Sequence, residues 1–440
     1  MLGSMNARID VELERIGIRI PDILLPRPDI DLNRWAVIAC DQHTSEPAYW
    51  RQVEAHVGDH PSTLHLVYPE VHLDEPDPLR RISRIHETME SYLATGVLRD
   101  AGRAMVLVRR STPHTAERRG LLLAVDLEQY DYTPGAKSLV RATEQTIVER
   151  LPPRIRIREG APLELPHVLV LVDDPADELF GGLEGRALEM LYETDLMLGG
   201  GSIQGYRLND EAHGHVAAVL QRLLSQSRTD PPFLFAVGDG NHSLATAKAV
   251  WDRQKQTAPE NHPSRYALVE VTSIYDPGLR FEPIHRLVRC ADPAGLIRAT
   301  AAELRGSVEP CSQAELRGRL ARDTRTDSGG DREGGSGAAI GYVTASECGV
   351  IELPAIDDLP VAAVQTHLDT LEGIELDYIH GWNATVTLGR DPGAVAIMLP
   401  DFDARLLYPT VAIRGVLPRK AFSLGEAEEK RYYLESRRIS

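Results

Sequence analysis

The chain has 440 residues, a formal net charge of −17 and 42% hydrophobic residues. This length exceeds one small core, so we expect two or three packed units. The acidic balance argues against a nucleic-acid binder, which would carry a basic stripe, and against an anionic membrane surface. Four cysteines without a C-x-x-C pair, and no apolar run of spanning length, predict a reduced cytoplasmic protein with no metal site.

The first half of the chain alternates between the two kinds of regular structure. Apolar runs predict strands at residues 35–39, 103–109, 121–125, 167–172, 233–237 and 266–272, with the second and third as a hairpin. Helical periodicity predicts helices at residues 78–98, 184–196, 210–224 and 241–251. This alternation favours an α/β fold with layered mixed sheets and packed helices.

The second half contains a break in composition. Residues 323–338 are rich in Gly, Asp, Arg and Ser, which predicts a flexible loop, and short strands are predicted at 340–343, 349–353 and 395–399. We therefore predict an N-terminal extension at residues 1–19, a core at 20–290 and a C-terminal subdomain at 291–440.

The most informative local pattern is the Gly-Asp-Gly-Asn-His-Ser run between a predicted buried strand and a predicted helix. Two glycines allow a tight turn, and the following helix directs free N–H groups and its positive dipole end at one point. A plain capped turn is the alternative, because the run lacks both the third dinucleotide-fold glycine and the P-loop ending. The predicted phosphate- and nucleotide-binding residues here are Gly238, Asp239, Gly240, Asn241, His242 and Ser243.

Six ordered blocks resemble the domain-of-unknown-function family 1015. Residues 237–247 resemble its D-G-H-H-R-x-x-T-A signature. The other five blocks are at residues 35–42, 141–146, 283–286, 377–381 and 417–423, so the resemblance runs over nearly the whole chain.

The same turn also resembles that of the ParB-like and free-serine-kinase superfamily, in which it holds a nucleotide phosphate. This resemblance implies a ParB/serine-kinase-like nucleotide-binding core with an accessory subdomain. It also implies ADP or ATP with Mg²⁺ as cofactors, and phosphoryl transfer to or from a small hydroxy amino acid such as serine or phosphoserine. The family's arginine after the histidine is Ser243 here. Arg141 or Arg286 would therefore have to supply the missing charge.

The block matches also imply catalytic roles. Glu144 would take or orient the proton of the attacking hydroxyl, with His242 as the second catalytic residue. An ordinary surface glutamate in the first turn of a helix is the alternative for Glu144. His285 and Arg286 would clamp a phosphate or carboxylate, unless they are a plain surface pair.

Two further groups are predicted to bind substrate. Asp41, Gln42 and Thr44 follow the first strand, where polar groups commonly line α/β sites, although Asp41 or Thr44 could instead cap the next helix. Arg419 and Lys420 lie in the last matched block and could bind an anion.

Two residue pairs are interpreted as structural. Asp173 and Asp174 could hold Mg²⁺, but they more simply begin a turn before a proline. Lys430 and Arg431 are interpreted as a solvated face of the last helix.

The favoured hypothesis is a phosphotransferase, although the sequence leaves open whether the protein is an enzyme. A non-catalytic nucleotide sensor and a phosphatase for a small phospho-metabolite are the alternatives, and the net charge opposes a DNA-binding partition factor. The expected partner is a small-molecule substrate, with no nucleic acid and no membrane. A homodimer is compatible with the sequence, which does not fix the oligomeric state.

Overall fold

The structure is a computed structural model, and it describes residues 2–322, 338–354, 359–418 and 420–440. Arg419 and almost all of the predicted loop at 323–338 therefore lie outside the described residues. The chain divides into two compact units. Unit 1 comprises Met1–Leu279, Tyr408–Val416 and Glu426–Ser440, and unit 2 comprises Arg280–Leu407 and Leu417–Gly425.

The regular elements are numbered in chain order. The helices are α1 (Leu2–Glu14), α2 (Leu32–Trp35), α3 (Pro47–Val57), α4 (Pro78–Ala94), α5 (Leu151–Arg158), α6 (Glu178–Gly181), α7 (Asp210–Ser225), α8 (Asn241–Gln254), α9 (Pro293–Glu303), α10 (Gln313–Arg322), α11 (Pro360–Leu368), α12 (Trp382–Gly389) and α13 (Leu407–Arg414). The strands of the first unit are β1 (Ile18–Arg19), β2 (Asp22–Pro26), β3 (Val37–Ile38), β4 (Leu98–Arg103), β5 (Val106–Ser111), β6 (Arg118–Asp126), β7 (Tyr130–Asp131), β8 (Val140–Ala142), β9 (Leu163–Glu164), β10 (Leu169–Val172), β11 (Glu189–Asp195), β12 (Ser202–Arg207), β13 (Phe235–Asp239) and β14 (Tyr266–Ser273). The remaining strands are β15 (Phe281–Arg289), β16 (Ser307–Pro310), β17 (Ala339–Thr344), β18 (Cys348–Glu352), β19 (Glu375–His380), β20 (Ala394–Met398), β21 (Phe422–Leu424), β22 (Tyr432–Tyr433) and β23 (Arg437–Arg438).

Unit 1 is built on a mixed sheet with the strand order β11-β12-β5-β6-β14-β10-β13-β8-β7, and β1 lies beside β6. Alternate residues of one strand enter different cores: Leu121 and Leu123 pack with helices α7 and α8, whereas Leu122 packs with α3 and α4. Because side chains of a strand alternate between the faces, the sheet is covered on both. This explains why its strands appear as continuous apolar runs, and the predicted α/β fold is confirmed.

The end of the chain returns to the start of unit 1. Strand β22 pairs with β3, β23 pairs with β9, and Ser436 bridges Leu24. The predicted domain boundaries after residues 19 and 290 stay predictions. The two compact units do not follow these boundaries, because the pairings of β22 and β23 place residues 426–440 in unit 1.

Unit 2 is an antiparallel sheet with the order β16-β18-β17-β20-β15-β19, and β21 extends from β15. Helices α10 and α12 bury Leu316, Leu320 and Val386 against Val343 and Ala396 of this sheet. The three short strands predicted after residue 338 correspond to β17, β18 and β20.

The predicted helix at 184–196 is wrong, because residues 189–195 form strand β11 at the edge of the sheet. The pairing of β11 shifts register between Met190 and Tyr192, and such a bulge interrupts the two-residue alternation by which a strand is recognised. The other three predicted helices correspond to α4, α7 and α8.

Among the described residues, no helix is long and apolar enough to cross a membrane.

Candidate functional site

The glycine-rich run forms a sharp junction between β13 and α8. Gly240 precedes the first helical residue and has a left-handed backbone, with φ of 76°. A Cβ atom added there would lie 3.1 Å from the Cα atom of Val168, so the backbone of the preceding strand region closely approaches the turn. Only glycine meets both conditions without strain.

The N-terminus of α8 has the features of an anion site. None of the described side chains caps the helix at Gly240. The first residue, Asn241, is buried, and its Oδ1 atom has no hydrogen-bond partner among the described residues. The buried Oγ1 atom of Thr146 also has none. Both oxygen atoms can accept a hydrogen bond from a ligand or from water.

Asp239 is held at the same junction by two donors. Its Oδ1 atom accepts the Gly240 N–H at 2.8 Å, and its Oδ2 atom lies 3.1 Å from the Lys430 ammonium. Burial alone would raise the pKa of the Asp239 carboxyl, but Lys430 and the Gly240 N–H hold it below its usual range. The Asp239 carboxylate therefore stays ionised and fixes the turn.

The interpretation of Lys430 and Arg431 as a solvated helical face is wrong. Residues 427–429 form one short 3-10 turn, after which the chain is extended into β22. Arg431 is buried and forms ion pairs with Glu270 and Glu435. Burial of a charge requires such paired partners, so Arg431 is part of the core while Lys430 reaches the turn.

Parallel pairing of β8 with β13 brings the Arg141–Thr146 block beside the turn. The Thr143 hydroxyl donates to the Val237 carbonyl at 2.5 Å, and the Ile147 N–H donates to Nε2 of His242 at 3.3 Å. Glu144 lies between these two attachments and is half-buried. The structure thus places Glu144 and His242 in one region of unit 1.

Antiparallel pairing of β10 with β13 brings the start of β10 to the turn, with Leu169 opposite Asp239. His167 just precedes this strand, and its Cδ2 atom would lie 3.5 Å from a Cβ atom at Gly240. Its Nε2 atom is 3.9 Å from Oδ2 of Asp41. Through His167, the structure brings Asp41 to the turn as well.

The loop after β3 is fixed by contacts of its own. Gln42 donates to Oδ1 of Asp41 at 3.0 Å, and its carbonyl accepts the Trp50 indole N–H. His43 has a left-handed φ of 51° and stacks on Tyr49, and such strain commonly accompanies functional loops. Thr44 is exposed. Helix α3 is preceded by Glu46, so neither Asp41 nor Thr44 caps it.

A second carboxylate lies behind this loop. Glu70 forms an ion pair with Arg154, and its N–H donates to the Cys40 carbonyl. Burial raises the pKa of Glu70, against the opposing effect of Arg154, and Asp41 raises it further. Burial also raises the pKa of the Cys40 thiol, so this cysteine is a neutral packing residue.

Arg141 directs its guanidinium away from the turn. It donates to the carbonyls of Ser138 and Pro231 and stacks over Phe233 at 4.3 Å. Pro231 and Phe233 precede β13, whereas the turn follows it. Burial lowers the pKa of Arg141. Its predicted contact with phosphate stays a prediction. Beside the turn, the structure instead places Lys430, in an ion pair with Asp239.

His285 and Arg286 lie in unit 2, where neighbours within that unit bind them. Nδ1 of His285 accepts the Leu399 N–H at 3.0 Å. The fully buried Arg286 donates to Gln365 and to the Lys420 carbonyl, and it stacks over Tyr378. Burial lowers the pKa of His285 to about 4 and that of Arg286 to about 10. Lys420 itself is exposed, and Arg419 is outside the described residues.

Asp174 and the α8 residue Lys248 have structural roles. Asp174 accepts the N–H groups of Glu178 and Leu179 and so begins α6, as the turn interpretation predicted. Lys248 forms an ion pair with Asp252 one helical turn further along α8. Across the described residues, His, Cys, Asp and Glu side chains form no group of three or more that could hold a metal ion.

The family profile described as "Protein of unknown function (DUF1015)" matches residues 24–370, well over half of the chain. This chain belongs to the DUF1015 family. No curated protein matches it. The relation to the ParB-like superfamily stays a prediction.

Several solved structures resemble the DUF1015 chain at low identity. A conserved hypothetical protein from Pyrococcus furiosus is 12% identical, with a TM-score of 0.34, over 72% of this chain and 95% of its own. A mutant free serine kinase in complex with AMP is 11% identical, with a TM-score of 0.37, over 71% and 90%. SbnI with a C-terminal truncation, from Staphylococcus aureus, is 11% identical, with a TM-score of 0.35, over 69% and 82%. Such low TM-scores assign no residue roles here.

Sequence reasoning missed two residues of this DUF1015 site, His167 and Lys430. His167 had a detectable signal, because it begins a predicted strand. The only sequence signal for Lys430 is that lysine is rare in this chain, with five lysines beside 43 arginines. Both reach the turn through long-range pairing, of β10 with β13 and of β22 with β3.

Proposed function

We propose that the junction of β13 and α8 binds the phosphate of a nucleotide, ADP or ATP, and that the protein moves a phosphoryl group to or from a small hydroxy amino acid such as serine. The observation that carries the proposal is the N-terminus of α8, which follows the left-handed Gly240 and is not capped by a described side chain. Backbone N–H groups and the helix dipole stabilise a bound anion at such a terminus.

The side chains around the junction support the same chemistry. Lys430 lies beside the turn in an ion pair with Asp239, and Asp41 and Glu144 provide further carboxylates within the same unit. A carboxylate that accepts the proton of an attacking hydroxyl is a recurring part of phosphoryl transfer. We keep Glu144 and His242 as the proposed catalytic residues.

Mg²⁺ belongs to this proposal only as the counter-ion of the nucleotide. Magnesium usually binds through one or two carboxylates together with substrate phosphates. The described residues form no three-ligand group for a resident ion. No chemical step is assigned to the metal.

A non-catalytic nucleotide sensor is the second candidate, and two observations favour it. Ser243 replaces the arginine of the family signature, and the Arg141 guanidinium is bound to carbonyl groups near the end of β13 opposite the turn. A site with few positive charges can bind a nucleotide without stabilising the charge of a transition state.

A thermal-shift panel with ADP, ATP, inorganic phosphate, serine and phosphoserine, with and without Mg²⁺, tests the proposal. A ligand at 100 times its Kd stabilises the folded state by about 2.7 kcal/mol. We expect a shift with ADP or ATP that His242→Ala abolishes. The control His56→Ala, at a half-buried histidine of α3 that contacts Asn33, should retain the shift. Turnover measured by ³¹P NMR then separates an enzyme from a sensor, and release of inorganic phosphate alone would indicate a phosphatase. The absence of a shift with any ligand would contradict the proposal.

A further inference from the structure

His167 and Asp41 face each other at a distance that is unusual for a direct contact. Nε2 of His167 and Oδ2 of Asp41 are 3.9 Å apart, which is too long for a hydrogen bond. A hydroxyl oxygen could lie about 2.8 Å from both atoms, the normal length of such bonds. The two side chains are 13% and 26% exposed, so neither is sealed in the core.

Both side chains are fixed by neighbours in the same unit. Gln42 occupies Oδ1 of Asp41, which leaves Oδ2 facing the histidine. The Tyr433 hydroxyl lies 2.9 Å from Nδ1 of His167 and accepts the Cys40 N–H at 3.1 Å. Burial raises the pKa of Tyr433 well above its usual value, so the phenol keeps its proton.

We propose that Asp41 and His167 bind the acceptor hydroxyl of the small substrate, beside the phosphate held by the α8 turn. Tyr433 donates its proton to Nδ1 of His167, which leaves Nε2 as an N–H donor. The substrate oxygen accepts this N–H, and the substrate O–H donates to Oδ2 of Asp41. His167 is thus a positioning residue that selects compounds with a free hydroxyl group.

The position of the imidazole links this subsite to the turn. Cδ2 of His167, the ring atom bonded to Nε2, is the atom that would lie 3.5 Å from a Cβ atom at Gly240. A hydroxyl bound at Nε2 is therefore next to the N-terminus of α8, where the proposed phosphate binds. The inference rests on the proposed function, because it assigns a binding position to the second substrate of the same reaction.

Isothermal titration calorimetry tests the inference in two stages, first with ADP and then with L-serine or L-threonine in the presence of ADP. We expect His167→Leu to retain ADP affinity within about threefold and to weaken serine binding about tenfold, the cost of one lost hydrogen bond. His167→Gln keeps an N–H donor at a similar reach and should recover part of the serine affinity. Tyr433→Phe should weaken serine binding less than His167→Leu, because the ring stays in place.

His86→Leu is the matched control, since His86 is a half-buried histidine of the same unit with one backbone hydrogen bond, to Ile157. It should leave the affinities for ADP and serine unchanged. A wild type that binds ADP, together with equal serine affinity in His167→Leu, overturns this inference alone. Binding of ADP but of neither serine nor threonine also overturns it. A wild type that binds no ADP overturns the proposed function and this inference with it.

Discussion

The turn before α8 and the His285–Arg286 pair were both selected by matched blocks in the sequence, yet the structure surrounds them differently. At the turn, polar atoms of Asn241 and Thr146 have no partner among the described residues. In the pair, the His285 ring and the Arg286 guanidinium are each hydrogen-bonded to a neighbour within unit 2. The turn is thus a place where a ligand can add hydrogen bonds, whereas the pair already has its own.

Two blocks matched in the same way can therefore differ in how fully their polar atoms are paired within the protein. Arg286 is fully buried and donates to a carbonyl of its own strand, to Gln365 and to the Lys420 carbonyl. A buried charge of this kind is stabilised by its fixed partners and is costly to expose. We therefore expect changes at Arg286 to act on stability and changes at the turn to act on ligand binding.

The largest expected effect is on Arg286→Leu. Removing the guanidinium leaves a buried amide and buried carbonyls without a donor, which should cost about 3 kcal/mol of unfolding free energy. Urea denaturation measures this cost. Arg298→Leu, at an exposed arginine of the same unit, should change stability by less than about 0.5 kcal/mol. If Arg286→Leu leaves stability unchanged and instead removes ADP binding, the structural role assigned to Arg286 is wrong.

The next effect is the pH dependence due to His285. Because its pKa in the folded protein is about 4, below the usual 6.5, the unfolded chain takes up a proton between these values and the folded protein does not. The contribution of the neutral His285 to the free energy of unfolding is complete above pH 6.5. It falls as the pH decreases, by about 2 kcal/mol between pH 6.5 and pH 5.

Denaturation curves at several pH values check this slope. His285→Asn, whose amide oxygen can still accept the Leu399 N–H, should flatten it. His114→Asn, at an exposed histidine of unit 1, should leave it as in the wild type. An unchanged slope in His285→Asn would show that His285 is not buried as the structure has it.

Gly240→Ala should reduce stability less than Arg286→Leu does, but it should weaken ADP binding more. The left-handed backbone costs an alanine about 1 kcal/mol, and the contact with the Val168 backbone adds to this cost. Gly185→Ala is the control, since Gly185 also has a positive φ but would meet nothing within 4 Å. Thermal denaturation and ADP titration of the two variants test this prediction. Equal losses of stability, with ADP binding kept in both variants, would contradict it.

The smallest effect is expected of Lys248→Ala. This lysine lies on α8 but is paired with Asp252, so removing it should change ADP affinity by less than about twofold. Lys430→Ala should weaken ADP binding more, because Lys430 is bound to Asp239 at the turn itself. Equal losses in the two variants would show that only the overall charge matters.

The parts of the site that depend on local order could be predicted from the sequence. Residues 233–251 contain a buried apolar run, two glycines and an amphipathic run, and they form β13, the turn and α8. His167 and Lys430 could not be placed, because their positions depend on antiparallel pairing and on the return of the C-terminal segment. Strand β11 was mistaken for a helix, because a shift in its pairing between Met190 and Tyr192 interrupts the two-residue alternation of a strand.

The central claim is that phosphate binds at the first residues of α8. The chain has six asparagines, so protein labelled with ¹⁵N-asparagine gives few backbone signals in a TROSY spectrum, and Asn241→Ser assigns that of Asn241. On titration with ADP, we predict that the Asn241 signal shifts while those of Asn33 and Asn383 stay in place. An Asn241 signal that stays in place at saturating ADP, or a shift confined to other asparagines, would contradict the account.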